Sequence, residues 1–165
     1  MRSERGYTIL ELVVVIGIIG IISGIALPVF MESNARRDLW TGSEQIGAAV
    51  RSARLKAITE NTTYRLVFDC PGTNELRALI LTGDPAIDDD AGRCSDTYVG
   101  DSGIIELPTS VAYDTGDATG LQVTGRGVFS ALGDAIPLTI TVTKGGGIRT
   151  LTVSGTGQIT FTDVQ

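Results

Sequence analysis

The sequence predicts an α+β protein: a long N-terminal α-helix, transmembrane in its first half and amphipathic in its second, packed on a β-rich C-terminal domain of two small antiparallel sheets. Three observations carry that expectation. Residues 9–30 form an apolar run of bilayer length interrupted by one charge, Glu11. Over residues 39–57 apolar side chains return at helical intervals, and after Asn61 the alphabet shifts to β-branched residues, threonine and glycine.

Size and charge set the outer bounds. A chain of 165 residues supports one domain plus an appendage. The formal net charge is −6, and it becomes −7 if Arg2, Glu4 and Arg5 are removed with the first six residues. From Asn61 onward, six Lys/Arg face thirteen Asp/Glu. Such a domain repels polyanions unless its few cations cluster, which makes nucleic acid a poor expected partner.

The first element is a short leader, residues 1–6, followed by the apolar run. Its 22 residues exceed the h-region of an ordinary secretory signal and, as a helix, cross about 30 Å of hydrocarbon. The one small-residue stretch resembling a signal cleavage site is the weak Ser23-Gly24-Ile25-Ala26. Arg2 and Arg5 precede the run and Arg36 and Arg37 follow it, so basic flanks alone do not orient it. A carboxylate inside such a run costs on the order of 2.5–3.5 kcal/mol on insertion scales. Glu11 therefore requires a cationic partner, or, as the alternative, snorkels to the headgroups from its place near the run's start.

Within the same run Gly17, Gly20 and Gly24 fall at spacings that stack them on one helix face, where small residues permit close helix approach. Pro28 lacks a backbone donor and is expected to bend or soften the helix over the turn from Gly20 and Gly24. Beyond it, Leu39, Ile46, Val50, Ala53 and Ala57 form one apolar stripe, so the helix is expected to reach about Thr59. Arg51, Arg54 and Lys56 read as its solvated face, with a phosphate-binding patch as the alternative. The stripe requires a cover, and the domain that follows supplies one.

Candidate strands cover residues 63–68, 76–81, 103–107, 110–113, 121–124, 138–143, 149–153 and 158–161. Leu138, Ile140 and Val142 alternate with threonines, as do Leu151 and Val153, which predicts a hairpin across Lys144-Gly145-Gly146-Gly147. Cys70 and Cys94 are the two cysteines, and there is no histidine. Two thiols alone make a poor zinc site. The preferred reading is a disulfide worth about 3 kcal/mol in an oxidising compartment, which favours the C-terminal part outside; the alternative is two separate buried thiols.

Gly6-Tyr7-Thr8-Ile9-Leu10-Glu11-Leu12-Val13-Val14-Val15-Ile16 resembles the class III signal of type IV prepilins and type II secretion pseudopilins. That resemblance implies cleavage by a prepilin peptidase/methyltransferase between Gly6 and Tyr7, methylation of Tyr7, and retention of the helix. It also implies that Glu11, the fifth mature residue, acts in assembly. Most members of the family carry Phe where this chain has Tyr7. The charge argument agrees: a freed α-amine in an apolar filament core is the cation that Glu11 of a neighbour can neutralise. Ala53-Arg54-Leu55-Lys56-Ala57-Ile58, leading through Asn61 into a strand, resembles the GspH/FimT family of minor pseudopilins and minor pilins, as does Val153-Ser154-Gly155-Thr156-Gly157-Gln158-Ile159.

Other constellations are weaker. Asp84, Asp88, Asp89 and Asp90 suggest calcium by charge, but without EF-hand spacing they read as a solvated acidic loop. The glycines 145–147 follow a strand and open no helix, so a hairpin turn explains them better than a phosphate cradle. Without histidine, and with Ser130 and Ser154 lacking a visible base, no enzyme is expected; Asp114, Asp117 and Asp134 would form a carboxylate pair only through tertiary folding. Some members of the resembled family bind DNA through a Gly-Arg-x-Arg-like segment, which Gly157-Gln158-Ile159-Thr160 lacks. Arg126, Lys144 and Arg149 are the remaining candidate contacts.

The combined expectation is a leader (1–6), a transmembrane or filament-core helix (7–30), an amphipathic helix (31–60) and a β-rich periplasmic domain (61–165) on a single-pass inner-membrane protein. Its implied partners are other pilin or pseudopilin subunits, the peptidase and the membrane, with no cofactor, metal or small-molecule substrate. The resemblance implies a structural role in initiating or capping a secretion pseudopilus or type IV pilus. Its alternative is a DNA-binding minor pilin for natural transformation.

Overall fold

The computed structural model describes residues 8–90, 92–95, 98–109 and 111–164, with the side chains of Pro28 and Val164 excepted. Its residues fall into two compact units, Met1–Ala35 and Arg36–Gln165. Helix α1 (Ile9–Glu60) supplies all the described regular structure of the first unit and the opening element of the second. It ends at Glu60, where Asn61 adopts a left-handed φ of 50° and the Thr62 N–H returns to the Ala57 carbonyl.

In the second unit α1 buries the stripe that its spacing predicts. Leu39, Ile46, Val50, Ala53 and Ala57 are all buried, Ile46, Ala53 and Ala57 completely. Two antiparallel sheets cover it. One is ordered β3 (Ile105–Glu106), β2 (Glu75–Ile80), β1 (Tyr64–Phe68), β5 (Gly120–Val123) and β6 (Phe129–Leu132). The other is ordered β4 (Ala112–Asp114), β7 (Leu138–Lys144), β8 (Gly147–Val153) and β9 (Ile159–Val164).

Period-two alternation fixes the faces. Tyr64, Leu66 and Phe68 point inward from β1, and Leu138, Ile140 and Val142 do so from β7. The β7–β8 register, from Leu138↔Val153 to Lys144↔Gly147, is the hairpin expected across the glycine tract. Glycines in α1 let the cover come close: a Cβ on Gly47 would lie 2.9 Å from Phe161 Cζ and one on Gly42 would lie 3.1 Å from Val111.

Two elements differ from the sequence reading. Strand β6 occupies a stretch expected to be loop, because the turn Thr124–Gly125–Arg126–Gly127 folds it back on β5 with Val123↔Phe129 pairing. A short helix α2 (Pro85–Asp88) forms inside the acidic loop, with Asp84 as its N-cap accepting from the Ala86 N–H at 3.0 Å and Pro85 in its first turn. The loop is therefore not simply solvated. Asp88 is buried and accepts from the Thr82 N–H and hydroxyl and the Gly83 N–H at 2.9–3.0 Å, while Asp89 pairs with Arg65 at 2.7 Å.

A candidate assembly surface and its anchored domain

Glu11 occupies the first turn of α1. Thr8 precedes the helix, and its Oγ1 accepts from the Glu11 N–H at 3.2 Å while its carbonyl accepts from the Leu12 N–H at 3.2 Å. Thr8-Ile9-Leu10-Glu11 thus has the spacing of a capping box, and an acid here also faces the positive end of the helix dipole. The sequence carried this signal, Thr followed by Glu three residues on, beneath the stronger impression of a charge in lipid.

Beyond Glu11, the large apolar side chains of the run are exposed. Ile9, Leu10, Ile16, Ile21, Ile25 and Phe30 are each at least 60% exposed, an extended apolar surface. It is the one described helix long and apolar enough to cross a membrane, and none of its apolar window is buried. A Cβ placed on Gly17, Gly20 or Gly24 meets nothing within 4 Å. Among the described residues, their smallness therefore serves no packing. Helix α1 is continuous across Gly20, Gly24 and Pro28. Gly6 and Tyr7 lie outside the described residues.

In the second unit the cations considered for phosphate contact are dispersed. Arg149, on the inward phase of β8, is buried. Its guanidinium carbon lies 3.8 Å from the Trp40 ring centroid and 4.5 Å from that of Phe161, Nη1 donates to Ser43 Oγ at 2.6 Å, and Nη2 donates to Glu44 at 3.3 Å. Asp163 lies 3.0 Å from its Nε. Lys144 pairs with Asp38. Both side chains therefore join the β7–β8 hairpin to α1, a role that charge counting did not anticipate. Arg126 is exposed at the β5–β6 turn, so the three cations form no single patch. The helix cations are likewise more than a solvated face: Arg54 Nε donates to the Gly127 carbonyl at 3.3 Å and Lys56 to the Gly100 carbonyl at 3.3 Å.

Cys70 and Cys94 form a disulfide with Cα atoms 5.2 Å apart. A second clasp holds the segment that follows. Asp101 receives both Arg93 Nη atoms at 2.7 and 2.8 Å, the Ile80 N–H at 2.9 Å and the Tyr98 N–H at 3.0 Å, and Arg77 Nη1 donates to the Cys94 carbonyl at 2.8 Å. Burial alone would push the Asp101 carboxyl up, but the Arg93 guanidinium and the two backbone N–H groups more than offset it and hold it below the usual carboxylate range. Asp88 is lowered in the same way: burial is overcome by the Thr82 and Gly83 donors. Arg93 is raised, chiefly by its hydrogen bonds to Asp101. Among the described residues no group of three or more His, Cys, Asp or Glu has a metal-holding arrangement.

Residues 1–27 match the prokaryotic N-terminal methylation motif. Residues 43–157 match the family described as type II transport protein GspH. Two proteins of Pseudomonas aeruginosa, each named fimbrial protein, are 33% identical over 60 residues, which is 36% of this chain and 38% of theirs. The match thus spans well under half the length of those relatives. No solved structure matches.

Proposed function

The chain belongs to the family of type II transport protein GspH, and from that premise we propose that it is a structural subunit of a type II secretion pseudopilus or a type IV pilus. A minor pilin or pseudopilin of this kind is cleaved after Gly6, methylated at Tyr7, held in the inner membrane by residues 7–30 with its β-rich domain periplasmic, and then drawn into a filament that it helps to initiate or cap. The carrying observation is the glycine face. Among the described residues nothing lies within 4 Å of a Cβ placed on Gly17, Gly20 or Gly24, in a run of α1 whose large apolar side chains, from Ile9 to Phe30, are exposed. Close approach of other helices gives that face a use.

Glu11 supplies the register. The Thr8 cap occupies its backbone N–H, and the carboxylate of one subunit pairs with the methylated amine that cleavage creates on the next. Glu11→Ala should leave peptidase cleavage intact and lower filament incorporation; normal incorporation of that variant contradicts the pairing. The DNA-binding reading gains no support from the cations. Lys144 and Arg149 are engaged by Asp38, Glu44 and Asp163, leaving Arg126 on an acidic domain. A low-salt gel shift tests it: retention at micromolar protein, lost in Arg126→Ala, would favour that reading over ours.

A further inference from the structure

The last turns of α1 carry an outward face that mixes arginines with aliphatic side chains. Arg51, Arg54, Leu55 and Ile58 follow the spacing of three, four and seven residues that aligns side chains on one side of a helix. Leu55 is 64% exposed and Ile58 46% exposed, and Arg51 is exposed beside them. The β5–β6 turn extends this face. Arg54 Nε donates to the Gly127 carbonyl at 3.3 Å, and a Cβ on Gly127 would lie 2.9 Å from Ile58 Cδ1. Arg126 and Val128, which flank Gly127, are both exposed. Between the turn and the segment that follows α1 lies a cleft of about 460 Å³, whose walls include Asn61, Thr62, Thr63, Thr124, Arg126 and Val128. Among the described residues no carboxylate pairs with Arg51, Arg54 or Arg126. Glu60, the acid that closes α1, accepts from the Tyr64 hydroxyl at 2.6 Å instead.

We propose that this face and its cleft dock an acidic segment of a different subunit of the filament, one whose Asp or Glu side chains lie next to aliphatic ones. The partner's carboxylates meet the guanidinium groups, with Arg126 and Asn61 donating from the cleft wall, and its aliphatic side chains cover Leu55, Ile58 and Val128. Each half of the surface narrows the occupant. Three guanidinium groups without internal partners, on a chain of net charge −6, select carboxylates or phosphates. The three exposed aliphatic side chains set among them decide between the two, because a sugar–phosphate backbone offers nothing apolar to cover them. The inference rests on the filament reading, to which it adds the chemistry of the partner's surface. A subunit that initiates or caps a filament adjoins chains other than its own copies, so the segment belongs to a different subunit.

Lys56 and Lys144 are the chain's only lysines, so an added one is traceable in zero-length coupling. Full-length Arg126→Lys protein is produced in its own cell, and the membranes are treated with carbodiimide. An amide should join position 126 to an Asp or Glu of a different polypeptide that itself bears a cut and methylated N-terminus, with an aliphatic residue within two positions of that acid. Arg51→Glu combined with Arg126→Glu should lower filament incorporation about tenfold and leave the urea midpoint unchanged. Val128→Ser should lower incorporation about threefold, which a purely ionic contact would not do. The proposal is overturned by absence of the adduct, by an amide to a second copy of this chain or to a polypeptide outside the filament, or by native incorporation of either variant. DNA retention in a low-salt gel shift that the double reversal abolishes assigns the face to phosphate and overturns it too. If position 126 forms no adduct in protein that begins at methylated Tyr7, the docking falls and the filament reading stands. A leader left uncut in its own cell strikes the filament reading instead.

Discussion

Arg149 lies under Trp40, its guanidinium carbon 3.8 Å from the indole ring centroid, while its nitrogens meet Ser43, Glu44 and Asp163. The stack ties β8 to α1 through a charge that is 4% exposed. Arg149→Met should lower the unfolding free energy by about 2–3 kcal/mol, since cation–π and charge pairing in a buried site are lost together. Arg149→Lys should recover only part of this, because an ammonium cannot reproduce a planar fork between two rings. Trp40 is the sole tryptophan, so its emission in urea titrations reports both the stack and the transition.

The glycines of α1 separate folding from assembly. Gly20→Ala and Gly24→Ala meet open space and gain helix propensity of about 1 kcal/mol each. Urea unfolding of the domain should not change, while filament incorporation should fall. Gly120→Ala is the converse control: its Cβ would lie 2.7 Å from the Leu66 carbonyl oxygen, a backbone atom of the neighbouring strand, and the domain should lose about 2 kcal/mol.

Acid should loosen the segment that carries Asp101. Its carboxyl is held below the ordinary range in the folded chain, so the stabilisation is complete above the unfolded pKa of about 3.9 and is lost as pH falls through the depressed folded value. Asp88 adds in the same direction. Hydrogen exchange should therefore show the amides of Ile80 and Tyr98, which Asp101 accepts, losing protection below about pH 4. Asp101→Asn strands the buried Arg93 and should cost about 3–5 kcal/mol at neutral pH.

Much of this architecture was legible because it is periodic. The stripe from Leu39 to Ala57 and the alternation in β7 and β8 follow from burying one face of a helix or strand, and burial leaves a period. What lacked a period was missed. Strand β6, Phe129-Ser130-Ala131-Leu132, is too short and mixed to alternate, and it exists because the turn with Gly127 at a left-handed φ of 75° folds it back on β5. Helix α2 did have a signal, Asp84 before Pro85, obscured by the charge of its neighbours. By charge alone Arg149 reads as a candidate nucleic-acid contact, although it shares the inward phase of Leu151 and Val153. Phase placed it in the core, but its aromatic and acidic partners come from distant segments. Glu11 was conspicuous, whereas its cap was not, since Thr8 reads as one more residue before an apolar run.

The cap and the charge of Glu11 can be pulled apart. Glutamine suits the third position of a capping box as glutamate does, but carries no charge. If pairing with a neighbour's amine drives assembly, Glu11→Gln should incorporate as poorly as Glu11→Ala while both are cleaved. Incorporation of Glu11→Gln at the native level would reduce the residue to a helix start.

The most direct test is the N-terminal residue of the chain recovered from its own cell, read by mass spectrometry. A filament subunit whose Glu11 awaits a neighbour's amine must begin at Tyr7, with that amine methylated. A chain that still begins at Met1, with its leader uncut, would contradict the account.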